Sequence, residues 1–409
     1  MFTIIMIMNI VIRRTQELER IKKLGPWILI FGRRKTGKTY FVKNFLEWHE
    51  YFFARRDNKL LDKDGNELSL EAFLEVFKRE IGNKTIVIDE FHRLPESFFD
   101  FLHSLGVKGK LIAISSTLSY SRKMLNRSSP LLGLFSEFKF NLVDEKDIIN
   151  SLKGLLNGKE LIEAAVYLRE PWLVPKFEEN KNARDFLATF LLEQKGSIKA
   201  LIGEIFSEEE RRLSLVYEGI LKAISDGKNT STEISSYLFS RKLIPKDNPG
   251  LIQRYLEVLR DIGLIDKVEV FDSRKFKYFH ISPLLDLHYY LEEKYAYSEV
   301  EVPEKFIRKV IDEKIPFHVE SFFASLLSKK LGLKMVKVEK PEVDIALTEF
   351  NRIKVVGEVK WKKINQKELE AIEEKLYHFK NAEKYIILQE KGKLESKKAK
   401  LIDCNDLKT

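Results

Sequence analysis

The stretch FGRRKTGKTYFV, Phe31–Val42, sets Gly32-Arg33-Arg34-Lys35-Thr36 ahead of Gly37-Lys38-Thr39. Gly25-Pro26 marks a turn before it, and the apolar run Trp27–Phe31 reads as a strand buried on both faces. After the motif, YFVKNFLEW carries its aromatic and aliphatic residues at helical spacing. A strand, a loop with glycines at these positions and a helix form a phosphate-binding unit, because loop and helix N–H groups converge on an anion. The expected nucleotide contacts run through Gly32, Arg33, Arg34, Lys35, Thr36, Gly37, Lys38, Thr39 and Tyr40. Lys38 is expected on the β- and γ-phosphates of ATP, and the Thr39 hydroxyl on Mg²⁺.

Such a loop needs an acidic partner on a neighbouring strand. KTIVIDEFHRLP, 84–95, supplies one: an apolar strand ending in Asp89-Glu90. Asp89 is expected to hold Mg²⁺ and Glu90 to polarise the attacking water. A third strand, KLIAISST (110–117), ends in hydroxyls. Ser116 or Thr117 is placed either between the acid and the γ-phosphate as a sensor, or as a cap of the next helix.

The chain has 409 residues, enough for two to four domains, and 71 Lys+Arg against 62 Asp+Glu give a formal charge of +9. That balance favours an anionic partner such as nucleic acid. The single cysteine, Cys404, excludes an internal disulfide and points to a reducing compartment, the cytoplasm. The apolar start MFTIIMIMNIVI is too short to span a bilayer, and its arginines follow rather than precede it. It reads as a buried strand or an N-terminal arm, with no membrane role.

Between 207 and 291 the pattern changes. LVYEGILKAISDG is amphipathic and stops at Gly227; Thr230 and Glu233 stand at capping-box spacing; Pro249 opens and Gly263 closes a further helix. DKVEVFDSRKFKYFHIS alternates on both sides of Asp272-Ser273, a hairpin. Three helices and a hairpin make a winged helix. Gln253, Arg254, Arg260, Arg274, Lys275 and Lys277 then face DNA, or the unit packs between its neighbours.

PEVDIALTEFNRIKVVGEVKW, 341–361, reads as two strands joined by a polar turn. Glu358 and Lys360 are two apart and share a face beside Asp344. Asp, then Glu-x-Lys on the adjoining strand, is the catalytic pattern of the PD-(D/E)xK nucleases. Asp344 and Glu358 are expected to share Mg²⁺, Lys360 to orient the bound water, and Glu320, in an upstream apolar-periodic helix, to complete the metal shell. The competing reading is a salt bridge on an ordinary sheet, with no metal. KYIILQEK, 384–391, supplies the next core strand.

RRTQELERIKKLGPWILIFGRRKTGKTYFVKNFL, IVIDEFHRL and LIAISSTLSYSRKML…SPLLGLF together resemble the archaeal ATPase family, a P-loop branch near the AAA+ and STAND groups, over residues 10–290. Residues 300–409 resemble the nuclease-like module fused to such ATPases. The resemblance implies an α/β P-loop ATPase core (1–145), a helical lid (146–206), a winged helix (207–298) and a restriction-endonuclease-like α/β domain (299–409). It also implies a homo-oligomer completed by an arginine from a neighbour. The chain departs from the family where Leu134 and Phe135 follow Gly133, leaving Arg122 and Arg127 as candidates, and where LREPWLVPKF replaces the lid's Gly-Gly-x-Pro step. Two functions follow: an ATPase acting on nucleic acid, DNA foremost, or an ATP-dependent switch with a protein partner.

Overall fold

A computed structural model describes residues 10–116, 129–178, 181–208 and 214–407. Most of the apolar start, and Thr117, Arg122 and Arg127, lie outside the described residues. Ile10 and Ile12 are partly buried against the core of the C-terminal half.

The first sheet comprises β1 (Trp27–Phe31), β2 (Glu50–Ala54), β3 (Leu60–Leu61), β4 (Glu67–Leu68), β5 (Thr85–Asp89), β6 (Lys110–Ser115) and β7 (Ser136–Lys139). Its order is β4-β3-β2-β5-β6-β1-β7. The five strands from β2 to β7 in that order run parallel, and β3 and β4 are antiparallel additions at one edge. Their near-continuous apolar runs follow from burial on both faces. Leu29, Ile86, Ile88, Leu111 and Ala113 pack on one side with Phe73, Phe77 and Phe98. Ile28, Ile30, Val87, Ile112 and Ile114 pack on the other with Phe41 and Val42.

This order corrects one expectation. The acidic strand β5 does not neighbour β1; β6 lies between them. All three strands are short apolar runs, so nothing local distinguishes the middle one. The consequence is functional: the end of β6, with Ser115 and Ser116, stands between the phosphate loop and the acids.

Helices Glu145–Leu152, Gly158–Leu168, Ala183–Glu193 and Lys195–Glu208 follow. Next come Leu215–Ser225, Ser231–Ser240 and Pro249–Asp261, then a hairpin of β8 (Ile265–Val270) and β9 (Phe276–His280). The expected capping box forms at Thr230 and Glu233. Helices Pro283–Tyr295 and Glu304–Leu331 lead into β10 (Lys334–Glu339), β11 (Glu342–Glu349), β12 (Arg352–Lys360), helix Gln366–Tyr377, β13 (Glu383–Leu388) and β14 (Lys400–Ile402).

The structure joins what the sequence divides near residue 298. The second sheet has the order β14-β13-β12-β11-β10-β8-β9, so the hairpin is the edge of the C-terminal sheet. β8 pairs in parallel with β10, Val336 opposite Glu269 and Lys337 opposite Val270. That pairing gives the β8 edge a hydrogen-bonding neighbour. One continuous apolar core links the helices after 143, the hairpin and this sheet. The hairpin β11–β12 and the parallel neighbour β13 stand where the sequence predicts them. No helix among the described residues is long and apolar enough to cross a membrane.

Candidate functional site: the phosphate loop and the carboxylate–lysine cluster

The phosphate loop leaves β1 at the C-terminal end of the parallel strands, where open α/β sheets bind ligands. Gly32 sits so close to the backbone that a Cβ there would lie 2.1 Å from the Phe140 carbonyl oxygen. Gly37 caps the helix Lys38–Phe45 at φ 89° and no side chain caps that terminus. Glycines thus hold the backbone in the form of an anion cradle at a helix N-terminus. Lys38 folds back, its Nζ donating to the carbonyls of Gly32 (2.8 Å) and Arg33 (2.9 Å).

Across the end of β6, Thr39 Oγ1 donates to Asp89 Oδ2 at 2.7 Å. The same carboxylate oxygen accepts from the Tyr51 hydroxyl at 2.6 Å. Burial, and then Asp89, push the Tyr51 phenol far above its ordinary range, so it remains a donor. Glu90 follows in the left-handed region, φ 55°, with its N–H on Asp89 Oδ1. A glutamate held there is strained, as residues at reactive sites often are. Ser116 Oγ donates to Glu90 Oε2 at 2.9 Å, and the helix that it would cap in the alternative reading begins outside the described residues. His92 and Arg93 each lie 3.5 Å from that oxygen. Burial lowers the His92 imidazole to about 4, so it is neutral beside Ser115.

The donor set fits a nucleotide with Mg²⁺: a hydroxyl and a carboxylate 2.7 Å apart, a lysine and a glycine-built cradle. Tyr51, His92 and Glu170 are site neighbours that sequence reasoning missed. Tyr51 carried a faint signal, a hydroxyl inside an apolar strand. Glu170, 137 residues from Arg33, carried none: Arg33 Nη2 donates to both its carboxylate oxygens, at 2.6 and 2.7 Å, with both side chains buried. Pro171 packs where a Cβ on Gly37 would stand, 3.6 Å away. Arg34 reaches Glu204 on helix Lys195–Glu208 at 3.0 Å. The helical unit therefore grips the phosphate loop directly.

At the other end of the chain, Asp344, Glu358 and Lys360 do come together. Asp344 Oδ2 accepts from the Val359 N–H at 2.8 Å and lies 3.8 Å from Lys360 Nζ. Glu358 is almost fully buried, with Lys360 Nζ on Oε2 (2.8 Å) and Lys375 Nζ on Oε1 (2.6 Å). Burial, and then Glu358, raise the Asp344 carboxyl. Burial, then Asp344, push Glu320 up to about 8. Among the described residues no three His, Cys, Asp or Glu side chains form a group able to hold a metal. Both Glu358 oxygens already face ammonium groups. As arranged, these residues do not fit a resident divalent ion; they have the salt-bridged form.

The candidate DNA-facing residues are on the surface to different degrees. Gln253, Arg254, Arg274 and Lys275 are exposed, Arg260 and Lys277 half-buried. Lys277 pairs with Glu339 of β10 at 3.4 Å.

Residues 25–142 match the family model described as an AAA domain. An uncharacterized protein of Methanocaldococcus jannaschii is 24% identical over 415 residues, covering 89% of this chain and 90% of that one. Among solved structures, the Aeropyrum pernix ORC2 protein in its ADPNP–ADP complexes is similar with TM-score 0.36 and 12% identity, over 74% of this chain and 91% of that one. The Aeropyrum pernix ORC1 protein in complex with DNA has TM-score 0.30 and 16% identity, over 71% and 95%. Residues 25–142 of this α/β chain thus match an AAA domain, and within them Lys38, Thr39, Asp89 and Glu90 converge at one sheet end.

Proposed function

We propose that the chain hydrolyses ATP and uses the cycle to act on nucleic acid, DNA foremost, as a homo-oligomer. Lys38 binds the β- and γ-phosphates, Thr39 and Asp89 hold Mg²⁺, and Glu90 takes the proton of the attacking water. Bound Mg²⁺ would supply neutralisation of the phosphate charge. Ser116 holds Glu90 in place, and Tyr51 holds Asp89. One observation carries the coupling: the phosphate loop is clamped by Glu170 and Pro171 of the helical unit, whose core is continuous with the hairpin and the C-terminal sheet. A change of charge at the loop is thereby felt by the half with the helices, the hairpin and the basic surface.

The helices Leu215–Ser225, Ser231–Ser240 and Pro249–Asp261 with the hairpin β8–β9 have the order of a winged helix, and exposed Arg254, Arg274 and Lys275 support contact with phosphates. The closeness of Asp344, Glu358 and Lys360 on the C-terminal sheet supports the reading of a nuclease-like fold. Its lysine-held carboxylates support a role in holding rather than cutting nucleic acid. A second reading, an ATP-dependent switch with a protein partner, is favoured by the built-in β8–β10 pairing, which gives the hairpin a packing role. ATP turnover with and without single- and double-stranded DNA and RNA separates the two. Stimulation by nucleic acid is expected; turnover indifferent to all four would favour the switch.

A further inference from the structure

The register makes the β11–β12 hairpin project beyond its neighbours. β10 starts at Lys334, opposite Thr348, and β13 starts at Glu383, opposite Val355. The pair Glu349–Arg352 closes a two-residue tip, Phe350-Asn351, with φ of 45° and 60°. Such tips favour Asn-Gly, because both positions need positive φ. Phenylalanine crowds its own backbone there and offers the turn no polar atom. Nor does the ring gain anything by burial: it is 93% exposed. Backbone and solvent both disfavour Phe350, which points to a contact outside the chain.

The surroundings indicate the kind of contact. Arg352 and Lys380 are exposed and make no ion pair among the described residues. Lys354 leans on Glu349 at 3.4 Å, and Lys334 on Glu269. Tyr377, 58% exposed, ends the helix that leads to β13 at the same end of the sheet. Aromatic rings set singly among cations suit unpaired bases and their phosphates, whereas a protein partner needs a contiguous apolar patch. Asp344 lies six residues up β11, roughly 20 Å away at strand rise, so this surface is distinct from the carboxylate–lysine cluster.

We propose that this end of the C-terminal sheet binds single-stranded nucleic acid, Phe350 stacking on a base while Arg352, Lys354 and Lys380 contact the flanking phosphates. The proposal rests on the nucleic-acid reading above. It is tested with the full chain by fluorescence anisotropy on a labelled single strand and the matching duplex, with and without ATP and Mg²⁺. Phe350→Asn suits the turn, so its melting temperature should equal or exceed that of the wild type while single-strand binding weakens about tenfold. Phe350→Trp should keep binding, and Arg352→Gln should reduce the salt dependence by about one ion. Wild-type binding that Phe350→Asn leaves unchanged overturns this surface and spares the nucleic-acid reading. Equal weakening on single strand and duplex overturns base stacking. A wild type that binds neither strand form at low salt overturns both the surface and the reading beneath it.

Discussion

Arg33 and Glu170 form a buried ion pair in which one guanidinium nitrogen donates to both carboxylate oxygens, joining the phosphate loop to the turn after helix Gly158–Leu168. The pair ties the nucleotide's seat to the helical unit. Removing one partner strands a buried charge, at a cost of about 3–5 kcal/mol, whereas replacing both with apolar residues is often nearly neutral.

Glu170→Ala should therefore lower stability by about 3–5 kcal/mol, and Arg33→Met with Glu170→Leu should recover most of it. The double variant should still bind ATP, since Lys38 and Thr39 are untouched, but lose stimulation by nucleic acid. Thermal unfolding and turnover assays on the wild type, Glu170→Ala and the double variant decide this. A double variant as unstable as Glu170→Ala, or one still fully stimulated, would refute the coupling.

Lys38→Ala should remove both tight nucleotide binding and hydrolysis, since the phosphates lose their main point charge. Glu90→Gln should bind ATP normally while turnover falls about 10²–10⁴-fold, the usual worth of a general base. Ser116→Ala should slow turnover about tenfold with little change in KM, because only the positioning of Glu90 is lost. Phosphate release and binding of a fluorescent nucleotide separate these outcomes. Equal turnover in wild type and Glu90→Gln removes Glu90 from the mechanism.

Features specified by neighbouring residues are legible in the sequence, and features that depend on distant pairing are not. The phosphate loop, the capping box at Thr230–Glu233 and the β11–β12 hairpin are each specified by residues within a few positions of one another. The place of β6 between β1 and β5 is not, because three equally apolar strands fit any order. Glu170 and Lys375 escaped for the same reason: their partners lie 137 and 17 residues away, and a surface-looking acid or lysine carries no mark of its future neighbour. The pairing of β8 with β10 likewise joins strands whose own patterns are complete as separate units.

Lys360 and Lys375 both hold Glu358, so their effects should be coupled. Either lysine replaced by alanine leaves the buried carboxylate one partner and should cost about 1–3 kcal/mol. Removing both should cost more than the sum, because the second loss leaves the charge alone. Unfolding of the two single variants and the double variant measures the excess. Simple additivity would show that Glu358 is not shared. A cleavage assay on DNA and RNA with Mg²⁺ or Mn²⁺ belongs beside it: the lysine-held form predicts no Glu358-dependent cutting.

Glu320 supplies a pH signature for the same region. Burial, and then the nearby Asp344, raise its carboxyl to about 8, with Lys337 and Lys360 opposing and Glu358 reinforcing the shift. In the unfolded chain the proton leaves near 4.5. Between these values the folded protein holds a proton that the unfolded chain has lost. Stability from this group is full below 4.5, falls as pH rises through that window and is gone above about 8. Glu320→Gln keeps the neutral form at every pH. Its melting temperature should match the wild type near pH 4.5, gain on it up to about pH 8 and run parallel beyond. If Glu320 instead ligated a divalent ion, added Mg²⁺ would pull the proton off, flatten the wild-type curve and favour the wild type over Glu320→Gln. A gap between the two proteins that does not change between pH 4.5 and 8 would show that Glu320 titrates like a solvent-exposed carboxylate, and the buried assignment would fail.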